Sequence, residues 1–184
     1  MRLRFLFISL CLLLAVACQK EDKVNTEAVD MTSSKTYHAT VLWATCNLGA
    51  TSPEKPGEYY TWGDDPCPKL LGAGWRMPTR EEFTDLLNAC TIEYVQYADQ
   101  NWVVGCKLTS KKTGNSLFFP VFGYKDESGK TVDYNQKGYY WTSTPVGDAP
   151  GDAYSVKFNL ENPLSEKKAY NKIYSLQIRP VREQ

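Results

Sequence analysis

Apolar residues along this chain recur in three different rhythms. The first is a block: Phe5 to Ala17 is almost unbroken apolar sequence behind Arg2 and Arg4. The second has the period of a helix. Phe83, Leu86, Leu87 and Cys90 fall at i, i+3, i+4 and i+7, which predicts one apolar stripe on a helix of about 79–90. Thr79 stands as its N-cap and Glu82 three residues on, the reciprocal pairing of a capping box. The third is a series of short β-rich runs. Ala39 to Ala44, Glu58 to Trp62, Ile92 to Tyr97, Trp102 to Leu108, Ser116 to Phe119, Tyr139 to Ser143, Ala153 to Leu160 and Ile173 to Val181 read as strands. Turn-forming stretches separate them, among them Gly63-Asp64-Asp65-Pro66, Lys112 to Asn115 and Glu127 to Lys130. Within Tyr154-Ser155-Val156-Lys157-Phe158, large side chains alternate with Ser and Lys, which predicts one wet face. The expected class is α+β, mostly antiparallel sheet with one clear helix.

The opening block is too short to span a membrane as a stable helix. With its positive start and the small residues Ala15-Val16-Ala17 before Cys18, it reads as a secretory signal, residues 1–17. A cysteine in that place resembles the bacterial lipobox, whose thiol is lipidated and becomes the new N-terminus; plain cleavage after Ala17 is the alternative. Gln19-Lys20-Glu21-Asp22 resembles the tag that follows the lipid cysteine in surface-exposed lipoproteins of the Bacteroidetes, and a solvated tether would look the same. Residues 18–37 are rich in Lys, Glu, Asp, Asn, Thr and Ser and read as a flexible tether. Residues 38–184 remain, about the usual size of one domain. The expected location is the outer membrane, facing the extracellular side.

Charge narrows the partners. The chain carries 21 Lys and Arg against 21 Asp and Glu, and removing Arg2 and Arg4 leaves 19 against 21, a net of −2. Neither nucleic acid nor an anionic membrane surface is indicated. Beyond Cys11 and Cys18, four cysteines remain: Cys46, Cys67, Cys90 and Cys106. In an exported domain they predict two disulfides, with three connectivities open.

Several motifs then fall in one order. Trp43-Ala44-Thr45-Cys46-Asn47-Leu48-Gly49-Ala50 comes first, followed by Gly57-Glu58-Tyr59-Tyr60-Thr61-Trp62-Gly63 and Gly74-Trp75-Arg76-Met77-Pro78-Thr79-Arg80-Glu81-Glu82-Phe83. Leu117-Phe118-Phe119-Pro120, Gly123-Tyr124, Tyr140-Trp141-Thr142-Ser143-Thr144 and Ile178-Arg179-Pro180-Val181 complete the set. In that order the chain resembles the Fibrobacter succinogenes major paralogous (FISUMP) domain. The resemblance implies a C-type-lectin-like fold, related to the formylglycine-generating enzyme fold and to variable proteins of diversity-generating retroelements. It also implies the pair Cys46–Cys90, with Cys67 and Cys106 as the second pair. Phe119-Pro120-Val121-Phe122 departs from the family, where small alanines usually follow the proline; altered packing is the expected consequence. In the variable relatives the ligand surface lies between the Trp-Ser-Ser-like motif and the final Arg-Pro-Val. The matching stretch, Thr144 to Gln177, holds Tyr154, Asn159, Asn162, Tyr170, Asn171 and Tyr174, the expected ligand-binding residues.

Chemistry is thin by comparison. Calcium-dependent sugar binding needs a Glu-Pro-Asn or Gln-Pro-Asp loop and a Trp-Asn-Asp strand, and neither occurs. Asp64-Asp65 and Asp148 with Asp152 read as turn caps rather than metal ligands. His38 is the only histidine, so histidine-based triads lack a candidate base. Asp64 and Glu82 are nominal carboxylates for a glycosidase, but Glu82 is engaged in its cap. The expected role is therefore non-catalytic binding, with no cofactor and no metal. A monomeric domain holds a glycan or protein ligand, adhesin-like, at the cell surface. Trp43, Trp62, Trp75 and Trp141 are expected in the core, and Arg76 and Arg179 are expected to lock the fold. The alternatives are a structural component of a surface or fimbrial assembly and, third, a carboxylate-dependent glycan-active enzyme.

Overall fold

The computed structural model describes residues 25–32, 41–97, 103–159 and 166–184. The signal segment, Cys18, His38 and Asn162 lie outside the described residues. Fourteen strands and two helices follow in chain order: β1 (Ala28–Asp30), β2 (Val41–Ala44), β3 (Tyr60–Thr61), α1 (Cys67–Leu71), β4 (Trp75–Arg76) and α2 (Arg80–Ala89). Then come β5 (Cys90–Tyr97), β6 (Val103–Ser110), β7 (Ser116–Pro120), β8 (Tyr124–Lys125), β9 (Thr131–Val132), β10 (Lys137–Pro145), β11 (Asp152–Asn159), β12 (Glu166–Asn171), β13 (Ser175–Leu176) and β14 (Val181–Glu183). They form four sheets, β1-β2-β14-β4, β10-β11-β12, β3-β13-β8-β9 and β5-β6-β7, and every ladder is antiparallel. The architecture is α+β and mostly antiparallel sheet, as the short apolar runs predict.

Two cores lie on either side of the β10-β11-β12 sheet. Because side chains alternate across a strand, β10 sends Tyr140 into one core and Tyr139 and Trp141 into the other. Likewise β11 gives Val156 and Phe158 to the first and Ala153 to the second. The first core also holds Trp43, Phe83, Leu86, Leu108 and Phe119, so the apolar stripe of α2 meets β2, β6 and β7 there. Phe119 is its hub, with ring centroids 5.1 Å from Tyr140 and 4.9 Å from Phe158. The second core gathers Leu48, Trp75, Met77, Trp141, Leu176 and Ile178. Trp43, Trp75 and Trp141 are buried as expected, while Trp62 stays half-buried at the edge of the second core.

The start of α2 forms as its sequence dictates. Thr79 Oγ1 accepts from Glu82 N–H at 3.1 Å, and the Glu82 carboxylate accepts from Thr79 N–H at 2.8 Å. The same carboxylate takes both Arg76 guanidinium nitrogens, at 2.7 and 2.8 Å, so the helix start is clamped to β4. Arg179, fully buried, is the other lock. Its Nε donates to Asn47 Oδ1 at 2.9 Å, and its terminal nitrogens donate to the carbonyls of Ala44, Thr45 and Phe118 at 3.1, 2.6 and 2.7 Å. It also lies 4.6 Å over the Phe119 ring.

Four expectations need correction. Part of the expected tether is structured: Ala28–Asp30 pairs with β2, and Met31 is fully buried. A short helix, α1, directly follows the predicted turn Gly63 to Pro66, where the sequence pattern predicts no second helix. Pro at its first turn suits a helix start, where the missing N–H costs nothing. The Asp65 carboxylate ties it down by accepting from Cys67 N–H at 2.9 Å and Met77 N–H at 2.6 Å. Strand β11 has no wet face, since Ser155 and Lys157 are both buried. Lys157 lies close enough to Asp133 to lower that carboxyl's pKa, so neighbouring charge rather than water receives it.

The disulfides are the fourth correction. Cys46, Cys67, Cys90 and Cys106 are all free and buried, so neither Cys46–Cys90 nor Cys67–Cys106 forms. Cys67 belongs to the second core and Cys106 to the first, which separates that pair by the central sheet. Burial pushes the Cys90 thiol up to about 11 and Cys106 to about 12, and it raises Cys46 and Cys67 too. These side chains act as small buried hydrophobes.

Candidate functional site: a tyrosine seam

Where the small sheet β3-β13-β8-β9 meets β10-β11-β12, four tyrosines converge. Tyr124 comes from β8, Tyr139 from β10, Tyr170 from β12, and Tyr174 from the turn leading into β13. Tyr124 is central, with ring centroids 4.9 Å from Tyr139, 5.3 Å from Tyr174 and 5.9 Å from Tyr170; Tyr139 and Tyr170 are 5.2 Å apart. All four contacts are edge-on or tilted, the geometry that ring quadrupoles favour. Tyr60 and Trp62 extend the row along the rim of the second core.

Strand register explains the gathering. Tyr170 pairs with Ala153, a residue of the second core, and so its ring lies on that face of the sheet. In the small sheet, Leu176 is fully buried and pairs with Tyr60, which defines the inner face. Tyr124 adjoins Lys125, which pairs with Ser175 on the outer face, so Tyr124 points inward beside Leu176.

The seam is graded from dry to wet. Tyr139 is buried and donates its hydroxyl to Asp133, and both burial and that bond push its ionisation far above the ordinary tyrosine value. Burial tends to raise the Asp133 carboxyl, but the hydrogen bonds from Tyr139 and Lys137 outweigh it, so the net shift is downward. Lys137 Nζ sits 3.0 Å from that carboxylate. Tyr124, Tyr170 and Tyr174 are only half-buried, each with part of its surface in contact with solvent. Such an edge offers stiff apolar area with polar tips, the chemistry of a contact surface rather than of bond-making.

The structure brings together only some of the predicted binding residues. Tyr170 and Tyr174 share the seam. Asn171 holds the turn between them: its carboxamide oxygen accepts from Ile173 N–H at 3.0 Å and its backbone carbonyl from Tyr174 N–H at 3.1 Å. Tyr154 does not join them. It pairs with Ala169 and therefore points to the opposite face of the sheet, where Arg80 lies 4.1 Å over its ring. Asn159 stands at the end of β11, opposite Lys137, away from the turn. Reading the sequence alone missed Tyr124, Tyr139 and Asp133. Tyr124 and Tyr139 each adjoin a motif or strand already marked, but only the pairing of β8 with β13 shows that they meet.

Other chemistry finds little support. Glu82 is committed to Thr79 and Arg76 and is buried, which leaves no free carboxylate there; Asp64 is exposed. Among the described residues, no three His, Cys, Asp or Glu side chains converge as metal ligands, and no helix is long and apolar enough to cross a membrane. A shallow cleft of about 280 Å³ lies elsewhere, lined by Glu27, Thr45, Glu54, Lys107, Leu117 and Phe118 among others. Its charges are mixed and its walls open to solvent. Compared with protein families, with curated proteins and with solved structures, the chain matches none of them, so the FISUMP resemblance rests on its ordered motifs alone.

Proposed function

We propose that this chain is a lipid-anchored outer-membrane protein whose C-type-lectin-like domain holds a glycan or protein ligand at the cell surface without catalysis. The observation that carries the binding role is the half-open tyrosine seam formed by Tyr124, Tyr170 and Tyr174 over a buried Tyr139. Aromatic rings fixed by their neighbours lose little freedom on binding, which favours contact over flexible loops. The anchor is supported by the signal-like block and by Cys18 after small residues.

The two halves of the proposal separate experimentally. Labelled palmitate should enter the wild-type chain in a lipoprotein-processing bacterial host and should be absent from Cys18→Ser. Equal labelling of both would rule out the anchor. For the ligand, the full-length chain is screened against glycans and surface proteins, with and without calcium. A specific partner lost on Tyr174→Ala places binding at the seam; a partner retained by that variant and by Tyr124→Ala places it elsewhere.

A further inference from the structure

We propose that a second binding site lies beside the small sheet, built on the exposed ring of Tyr134 over Phe122 and Tyr59 with Lys125 next to Tyr59, and that it takes a carboxylated sugar of an acidic glycan. None of its four side chains belongs to the seam of Tyr124, Tyr139, Tyr170 and Tyr174. Tyr134 is 55 % exposed, the most exposed of the large apolar side chains among the described residues. Its ring rests on Phe122, with centroids 5.6 Å apart and planes at 47°. Tyr59 lies beside them: burial, with Tyr134 adding to it, pushes its hydroxyl up to about 12. That hydroxyl donates to the Phe122 carbonyl at 2.8 Å, fixing the ring.

The display of Tyr134 is rigid. It stands between Asp133 and Asn135, both left-handed with φ of 58° and 55°, a conformation tolerated best by Asp and Asn after Gly. The Asp133 carbonyl accepts from Gln136 N–H at 3.0 Å and Lys137 N–H at 3.1 Å, and its carboxylate holds Lys137 and Tyr139. On the other side, Gly123 lets the Val132 carbonyl approach to where a Cβ would stand only 1.9 Å away. A loop fixed at this many points keeps its exposed ring in one place, and a preorganised ring loses little entropy when a ligand stacks on it. Backbone held in sparsely populated regions also concentrates at ligand-binding sites.

The charge on the site selects the ligand. Lys125 Nζ lies 5.5 Å from the centroid of the Tyr59 ring and forms no ion pair among the described residues. One exposed tyrosine ring, backed by Phe122 and Tyr59, with the Lys125 ammonium over Tyr59, fits a sugar ring that presents an apolar C–H face and a carboxylate. A nucleic acid would require many phosphate contacts from several cations. An added peptide strand would find edge strands of only two residues, Tyr60–Thr61 and Thr131–Val132.

The test is a titration of the full-length chain with polygalacturonate, hyaluronan and polysialic acid, each beside its methyl-esterified form. Esterification removes the charge and keeps the ring. At least one acid form should bind tenfold or more tightly than its ester, and this advantage should shrink as salt is raised. Lys125→Gln should reduce the acid form to the level of the ester. Tyr134→Ala should weaken binding tenfold or more without moving the melting temperature, and Tyr134→Phe should retain it. Equal binding of acid and ester, indifference to Tyr134→Ala, or a partner confined to proteins would overturn the proposal, as would silence across all three polymers. Loss on Tyr174→Ala with binding retained by Tyr134→Ala would also overturn it, placing these polymers at the seam instead.

Discussion

Arg179 and the tyrosine seam both place polar groups against aromatic rings, yet they differ in one respect that decides their roles. Every guanidinium nitrogen of Arg179 has a fixed protein acceptor, its side chain is wholly enclosed, and the Phe119 ring covers its face. Nothing is left for a ligand to satisfy. In the seam Tyr139 is buried and held by Asp133, while Tyr124, Tyr170 and Tyr174 keep part of their surface in water. A saturated, buried polar group holds a fold together; a half-open aromatic edge leaves area that a partner can cover.

The largest effect is expected from emptying the Arg179 site. Arg179→Ala strands Asn47 and three carbonyls in a closed space, and unsatisfied buried polar groups cost about 1–3 kcal/mol each. With four acceptors stranded, the domain should lose at least about 4 kcal/mol or fail to fold. Chemical denaturation measures it. Arg179→Lys should recover little, because an ammonium lacks the planar fork that reaches four acceptors. Stability left intact with binding lost would reverse the two assignments.

A smaller effect is expected at the helix start. Arg76→Ala leaves the buried Glu82 carboxylate with only its cap, and losing hydrogen bonds to a charged group should cost about 2 kcal/mol. Thr79→Ala removes the cap itself and should cost about 1 kcal/mol. Thermal melts of both variants should show this order, with ligand binding unchanged at temperatures where each is folded.

The seam should respond in the opposite sense. Tyr174→Ala loses one ring contact and should cost about 1 kcal/mol, while weakening the seam's ligand tenfold or more. Acid tests the seam's dry end. Asp133 has its folded pKa held below the ordinary carboxylate value of 3.8. Its contribution is therefore present above the unfolded pKa and is lost as pH falls through the folded pKa. Wild type and Asp133→Asn should differ in melting temperature near neutral pH, and the gap should narrow as pH drops below about 4. A gap that is constant with pH would mean that the Tyr139 and Lys137 contacts do not depend on the carboxylate's charge.

How much of this was legible in the sequence depends on how local each feature is. The capping box needs residues three apart, and it forms with the helix predicted from Phe83, Leu86 and Leu87. Runs rich in β-branched and aromatic residues mark the long strands to within a few positions, because those side chains fill a pleated surface. Some short elements, Ala28–Asp30 and Cys67–Leu71 among them, were not legible. Ala28–Asp30 has no pattern of its own and is a strand only because β2 offers it an edge. Lys157 reads as a solvent-facing residue, yet the fold buries it within electrostatic reach of Asp133. Four cysteines in an exported chain suggest bridges, but thiols also serve as compact core residues, and only their positions in separate cores distinguish the two for Cys67 and Cys106. Of the candidate site, Tyr170 and Tyr174 were found because they lie in one stretch. Tyr124 and Tyr139 are joined to them by register alone, and that same register removes Tyr154 to the far face.

The most direct test of the central claim is to measure ligand affinity and melting temperature together for Arg179→Lys and Tyr174→Ala in the full-length chain. Arg179→Lys should lower the melting temperature by many degrees, with the remaining folded fraction binding normally. Tyr174→Ala should melt within a few degrees of wild type and bind at least tenfold more weakly. Normal binding by a stably folded Tyr174→Ala, together with weakened binding by a stably folded Arg179→Lys, would contradict that claim.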